Sequence, residues 1–443
     1  MSHSVPFSEA VRTWWHIALF SFGGPAGQIA LMHRKLVEEK RWIGEQRFLH
    51  AVNFCMLLPG PEAQQLAIYI GWLLHKTKGG LVAGILFIVP GAVAIMILSI
   101  IYALFGNAAP VAALFFGLKA AVLALVFQAV IRIGSRSLTS MPSRLIAFAA
   151  FVALFVFAVP FPVLIIAAAA IGWFVRLPAS GHGGAADRFP DSASALGESI
   201  PAHAQLKGWP AMRFPLILLV LWLLPTAILA AWLGPDNRFS EIAQYFSRMA
   251  VLTFGGAYAV LAWVGQAAVE QFQWLSATEM LDGLGLAETT PGPLIMVTQY
   301  VGFLAAFREP GSLSPLAAGV AGGLLTTWVT FVPCFIWIFA GAPYVERLRA
   351  NVALASSLAA ITAAVVGVIL NLALWFAFHY LFLVQQEFNA GRVVMTLPSP
   401  ESLDLVALFL SIGATVALFR FKISPIKTLM GCALAGMVIK LAL

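Results

Sequence analysis

Charge is what this chain has least of. Asp, Glu, Lys and Arg make up 10% of its 443 residues against 61% hydrophobic residues, and the mean hydropathy is +0.91. A soluble fold of this length has too little interior to hide that much apolar surface, so a water-soluble enzyme or binding domain is excluded. Cysteine is scarce as well. Cys55, Cys334 and Cys432 stand far apart in apolar surroundings, which excludes a disulfide framework and a thiolate metal site. No glycine-rich phosphate loop occurs, so nothing points to ATP as a driver. No cofactor or metal motif is visible, which disfavours a membrane enzyme. Residues Met1–Val11 lack a basic start and a small-residue cleavage site, so no signal peptide is expected there. The formal charge of +7 bears on membrane topology and leaves no nucleic-acid footprint.

What the chain has instead is long apolar runs, and they repeat. Met212–Leu233 carries no charge after Arg213, and about 20 such residues cross a bilayer. Six hydrophobic segments are expected in each half: 8–40, 46–75, 80–105, 111–132, 145–159 and 163–176, then 241–268, 277–306, 315–341, 354–381, 403–419 and 425–441. The organisation is an N-terminal repeat over 1–177 and a C-terminal repeat over 234–443. Between them lie 178–211, read as a flexible cytoplasmic linker, and a connecting transmembrane helix over 212–233. Phe22-Gly23-Gly24 recurs as Phe254-Gly255-Gly256. Val37-Glu38 and Trp42 recur as Val269-Glu270 and Trp274, and Pro59-Gly60-Pro61 as Pro291-Gly292-Pro293. Every pair is offset by 232 residues, as 22 is from 254. Beyond these motifs Pro90 matches Pro333 at an offset of 243, so the second copy has an insertion of 11 residues near Phe303–Ser314.

The first two segments of each copy are cut by glycine and proline. A helix is expected to end near Phe22 and restart at Pro25, and another to end near Leu58 and restart at Pro61. Such breaks survive at membrane depth only when buried in protein or facing a water-filled cavity. Charge suggests how they lie. If these segments are re-entrant hairpins, Arg34, Lys35, Lys40, Arg41 and Arg47 fall on the cytoplasmic side. If they span, those residues fall outside, against the positive-inside tendency. The re-entrant arrangement is preferred. The fold class is therefore an all-α polytopic membrane protein of two inverted-topology repeats with broken, re-entrant helices, the pattern of a secondary transporter. Segments 145–159 and 163–176, separated by Pro160, are two helices or one on sequence alone. Trp14, Trp15, Trp42, Trp72 and Trp274 suit interface belts.

The stretches Phe22-Gly23-Gly24-Pro25-Ala26-Gly27-Gln28 and Leu58-Pro59-Gly60-Pro61-Glu62-Ala63-Gln64-Gln65 resemble the chromate ion transporter family. So do Phe254-Gly255-Gly256 and Thr290-Pro291-Gly292-Pro293. The resemblance is to the long-chain, two-domain form and covers nearly the whole chain. It implies export of chromate from the bacterial cytoplasm across the inner (plasma) membrane, with exchange against protons the usual suggestion. The partners implied are an oxyanion, chromate or alternatively sulfate, together with protons and the lipid bilayer. A homodimer is compatible with this reading. The second copy departs from the first: Ala257 stands for Pro25, Leu294 for Glu62, Val297 for Gln65 and Thr362 for Lys119.

A tetrahedral oxyanion needs hydrogen-bond donors on several sides and positive potential. A broken helix offers both at its N-terminal end. The expected substrate-binding residues are Gly23, Gly24, Pro25, Gln28, Gly60, Pro61, Gln64, Gln65, Lys119, Gly255, Gly256, Gly292 and Pro293. The bland alternative is that the Gly-Pro pairs merely kink packed helices. Lys119, the only basic residue well inside an apolar segment, either neutralises the anion or snorkels to the nearer surface. Glu62 and Glu288 are the expected proton-coupling groups. Ionised, Glu62 repels an anion; protonated, it tolerates one. Its alternative role is to stabilise its own helix start. An anion channel on the same scaffold is the rival function.

Overall fold

A computed structural model describes residues 5–176, 189–197, 201–205, 208–254, 256–344, 351–390 and 393–442. The first half forms α1 (Phe7–Leu19), α2 (Gly24–His33), α3 (Glu45–Cys55), α4 (Glu62–Phe105), α5 (Ala109–Ser137), α6 (Met141–Phe155) and α7 (Phe161–Val175). Then come α8 (Trp209–Leu233), α9 (Arg238–Leu252), α10 (Ala257–Gln266), α11 (Ala277–Thr289), α12 (Val297–Arg308), α13 (Pro315–Gly341) and α14 (Val352–Leu381). A hairpin of β1 (Gln385–Ala390) and β2 (Val393–Pro398) leads to α15 (Leu405–Phe419) and α16 (Pro425–Ala442). Among the described residues six helices are long and apolar enough to cross a membrane: α4, α5, α8, α13 with its extension to Tyr344, α14 and α16. The segments on either side of Pro160 are two short helices, α6 and α7.

α4 is two helices joined at a sharp turn. His75 and Lys76 leave helical geometry, with φ of −136° and +55°. The arms 62–74 and 77–105 fold back on each other at Gly71 and Gly79. A Cβ on Gly79 would overlap the Gly71 carbonyl, so side chains are excluded where the backbones meet. In the second copy α12 and α13 make the same return. There a Cβ on Gly322 would lie 2.5 Å from that of Ala306 and 2.6 Å from the Gly302 carbonyl. The turn at residues 75–76 is replaced there by the loop 309–314, and α12 runs on to Arg308. The insertion read from the changed offset sits in this region.

The repeated Val-Glu and Trp residues have a backbone explanation. In both copies the helix after the glycine break ends in a π-helical turn, Arg34–Glu39 and Ala267–Gln271. A left-handed residue follows, Arg41 or Gln273, each at φ +52°. The Trp42 N–H then donates to the Leu36 carbonyl and the Trp274 N–H to the Ala268 carbonyl, both at 2.8 Å. The tryptophans seat these turns. Trp14, Trp42, Trp72 and Trp274 are all buried, and of the expected interface belt Trp15 alone is exposed.

The chain forms two compact units. One comprises Met1–Ile97, Gly181–Ala257 and Thr290–Asn351. The other comprises Leu98–Ser180, Tyr258–Thr289 and Val352–Leu443. Each draws on both halves of the sequence, so compactness does not follow the repeats. The first unit is built around Trp14, Trp42, Phe48, Phe87, Phe335 and Phe339. In the second, α5 crosses α16 where Gly117 meets Gly436.

The expected linker over 178–211 differs from a free tether in its described part. Phe189, Ala195, Leu196 and Ala204 pack on the first unit's core. The Ala195 and Leu196 N–H groups donate to the Arg41 and Trp42 carbonyls at 2.9 and 3.1 Å, and the Glu45 N–H donates to Phe189 at 2.9 Å. Apolar residues scattered through a polar stretch give it something to bury. The remaining linker positions, 178–188, 198–200 and 206–207, lie outside the described residues.

These close approaches predict an asymmetry among glycines. Gly79→Ala forces the two arms of α4 apart and lowers stability by about 1–3 kcal/mol. Gly413→Ala on α15 meets nothing within 4 Å and keeps or raises the melting temperature, because alanine is the better helix former. Thermal denaturation of the two purified proteins checks both.

Candidate functional site

The breaks occur where glycine and proline put them. Gly23 and Gly24 have φ of +84° and +70°, Gly60 +118°, Gly256 +95° and Gly292 +98°. Residues with a Cβ rarely adopt these angles, so the chain can leave its helices here because the side chains are missing. Pro25 is the second residue of α2, and Pro61 immediately precedes α4. Gly255 lies outside the described residues.

Each Pro-Gly-Pro turn in the first unit is tied to the other copy. The Gly60 N–H donates to the Thr253 carbonyl at 2.8 Å, and the Gly292 N–H donates to the Ser21 carbonyl at 2.8 Å. Residue 253 is the repeat partner of 21, as 292 is of 60, so the two bonds are the same bond made twice. The neighbouring packing is reciprocal as well. A Cβ on Gly60 would stand 3.0 Å from Cys334 Sγ, and one on Gly292 would stand 3.3 Å from Gly91 Cα. Cys334 and Gly91 are again partners in the repeat.

Polar side chains gather around these breaks. Gln28 Nε2 donates to the Gly292 carbonyl at 2.6 Å. Gln65 Nε2 donates to the Pro59 carbonyl at 2.7 Å. Ser21, Gln28, Gln64 and Gln65 are at most 1% exposed. Yet Ser21 Oγ, Gln28 Oε1, Gln65 Oε1, Glu62 Oε2 and both terminal atoms of Gln64 have no hydrogen-bond partner among the described residues. A buried polar atom left unpaired costs about 1–3 kcal/mol, so such atoms are scarce in folded proteins. Five residues in this state suit a polar solute or water. The first N–H groups of α2 and α4 add donors that their own helices cannot use. Glu62 takes part in its own helix start, since its carboxylate accepts from its own backbone N–H. Its Oε1 also faces Gly256.

The second copy does not repeat this chemistry. Val260, Leu294, Met296 and Val297 stand at the positions matching Gln28, Glu62, Gln64 and Gln65, and all four are buried apolar residues. Gln299 is buried there but satisfied: Nε2 donates to Ala92 at 2.9 Å, and Oε1 accepts from Thr327 at 2.9 Å.

The second unit holds charged groups. Lys119 on α5 is 9% exposed and lies 3.2 Å from Asp282 Oδ1 on α11. It is therefore ion-paired rather than snorkelling. Tyr102 donates to Asp282 Oδ2 at 2.8 Å. Glu288, at the end of α11, accepts from Tyr258 at 2.7 Å. Asp282, Tyr102, Tyr258 and Ser21 were not among the residues expected from sequence. Asp282 had a signal, since a lysine inside an apolar run calls for a buried counter-charge. The stretch Leu281-Asp282-Gly283-Leu284 supplies it.

Known proteins resemble this chain over most of its length. A family model described as "Chromate transporter" matches residues 8–173 and 240–437. The chain is 24% identical to a chromate transport protein of Cupriavidus metallidurans, over 98% of this chain and 94% of that one. It is 32% identical to a chromate transport protein of Pseudomonas aeruginosa, over 79% of this chain and 76% of the other. A probable chromate transport protein of Synechococcus elongatus is 25% identical over 80% of each. No solved structure matches. A polytopic membrane protein, matched by the family model in both halves and carrying the broken helices in both, this chain belongs to the chromate transporter family.

Proposed function

We propose that this protein exports chromate across the bacterial inner membrane as a secondary transporter coupled to protons. The observation that carries the reading is the set of buried, unpartnered polar atoms on Ser21, Gln28, Gln64 and Gln65 at the glycine breaks of a chromate transporter family member. The free donors among them are the Ser21 hydroxyl and Gln64 Nε2. With the first backbone N–H groups of α2 and α4 they suit a tetrahedral oxyanion, whose oxygens only accept. Gln28 and Gln65 give their Nε2 to the Gly292 and Pro59 carbonyls and shape the turns. Hydrogen bonds to a charged acceptor are worth about 1.5–3 kcal/mol each. Glycine lets the backbone approach closely, so Gly23, Gly24, Gly60, Gly256 and Gly292 serve the site by shape. Glu62, beside these groups and without a cationic partner among the described residues, is the proton-coupling residue, and Glu288 is the second candidate.

The two copies form an inverted repeat with re-entrant hairpins at 8–40 and 46–75 and their counterparts. The reciprocal bonds from Gly60 to Thr253 and from Gly292 to Ser21 support a two-fold relation between the copies. The basic cluster from Arg34 to Arg47 supports its cytoplasmic placement. Cysteines introduced at Lys40 and Lys78 are expected to label from the same face of oriented membranes. Labelling from opposite faces sinks the re-entrant arrangement.

Flux in proteoliposomes under an imposed pH gradient tests the function. Saturable chromate uptake that follows the gradient is the expected result, with sulfate as the competing substrate. Unsaturable flux that ignores the gradient indicates an anion channel. Gln64→Leu removes two buried hydrogen-bonding groups and is expected to weaken chromate affinity about tenfold, the equivalent of about 1.4 kcal/mol. Glu62→Gln keeps shape and fixes the neutral form, so it should bind chromate yet lose accumulation driven by the gradient. Wild-type accumulation by Glu62→Gln leaves Glu62 only its helix-capping role.

A further inference from the structure

We infer that Asp282 is a proton-binding site that competes with the oxyanion for Lys119, so that binding the anion takes up a proton. The inference rests on the proposed function and names a residue and a sign that it lacks. Lys119 and Asp282 are 9% and 4% exposed, and their Nζ–Oδ1 distance is 3.2 Å. Each neutralises the other where a lone charge is costly. An oxyanion that takes Lys119 replaces Asp282 as its counter-charge. The displaced carboxylate would then be a buried anion beside a second anion. Binding one proton removes that conflict: the pair of Lys119 with Asp282 becomes a pair of Lys119 with substrate, and Asp282 becomes neutral.

The surroundings fit the exchange. Tyr102 donates to Oδ2 at 2.8 Å and so fixes the carboxylate. Oδ1 faces the Lys119 ammonium at 3.2 Å, so it is the oxygen opened to a proton when an anion draws the lysine away. The charged and titratable groups acting on Asp282 are Lys119 from α5, Tyr102 from α4, and Glu279 one turn back on α11. α14 and α16 also pack on α11 and add no further charge there among the described residues. The competing role is purely structural, an ion pair tying α5 to α11, which already meet closely where Gly285 faces Leu118.

Linkage fixes the sign. If the proton and the anion favour the same state, each tightens the other's binding by the same factor. Affinity therefore rises as pH falls, by up to about tenfold per pH unit for one proton. This departs from simple exchange of oxyanion against proton, in which acid weakens binding.

The test is equilibrium binding of chromate and of sulfate to the purified full-length protein on both sides of neutrality. Chromate takes up a proton of its own near neutrality, whereas sulfate does not, so sulfate isolates the protein's contribution. Wild-type protein is expected to bind both anions more tightly in acid. Asp282→Asn, with Lys119 freed, should bind at alkaline pH as tightly as wild type does in acid and show no slope for sulfate. The double variant Lys119→Met with Asp282→Asn leaves no buried charge unpaired and guards against misfolding of a single variant. It should bind at least about tenfold more weakly than Asp282→Asn at every pH, the loss of one charged contact. A wild-type slope retained in Asp282→Asn, or a double variant that binds as tightly as Asp282→Asn, overturns the inference alone. Wild-type protein that binds neither anion at any pH overturns the proposed function and this inference with it.

Discussion

Two backbone hydrogen bonds hold the centre of the first unit. The Gly60 and Gly292 N–H groups each reach a carbonyl just before the glycine break of the opposite copy. At membrane depth every irregular stretch of backbone needs such a partner, because hydrocarbon offers none. The bonds require four chain breaks to converge, and the breaks require positive φ at Gly23, Gly24, Gly60, Gly256 and Gly292. The long helices must come close as well. This explains Gly91, where any side chain would meet the Pro291 carbonyl at 2.5 Å. Unwound backbone, buried polar side chains and close helix packing are thus consequences of one constraint.

The shared backbone carries unequal chemistry. Gln28, Gln64 and Gln65 in the first copy correspond to buried Val260, Met296 and Val297 in the second. The skeleton of the break needs only glycine, proline and two carbonyls, and both copies keep those. The amides are therefore not needed for the break itself. Gln64 has neither terminal atom paired among the described residues, and a buried amide left unpaired weakens a fold, so its presence in a single copy fits a role outside folding.

Much of this architecture was legible in the sequence because glycine and proline act locally. The end of α1 and the starts of α2 and α4 follow from the φ freedom of Gly23, Gly24 and Gly60 and the fixed φ of Pro25 and Pro61. The fixed offset also exposed the pairs that later proved reciprocal. What stayed hidden depended on contacts between distant segments. Asp282 looked like one acid in a polar helix start, and only the placement of α11 against α5 made it the partner of Lys119. The linker's packing arises from four apolar residues too sparse to form a pattern. The tryptophans were misread because composition at the end of an apolar run does not say whether a ring turns outward or seats a π-helical turn. The compact units mix the two halves, and no periodicity in the chain announces that.

The neutrality of the amide cluster bears on transport itself. A doubly charged anion in a medium of low dielectric is strongly held by a full positive charge, since Coulomb energy rises as screening falls. A carrier that holds its cargo so firmly releases it slowly. Conduction and carriage both need binding strong enough to admit the ion and weak enough to let it leave. Amide dipoles meet that requirement better than an unpaired lysine, because they share the charge among several modest contacts. A lysine can serve the same end if its charge is already balanced, as the Lys119 charge is by Asp282. An anion must then displace a carboxylate, so the net gain is the difference between two similar pairings rather than the full attraction of one. Both arrangements keep the interaction with the anion small by construction.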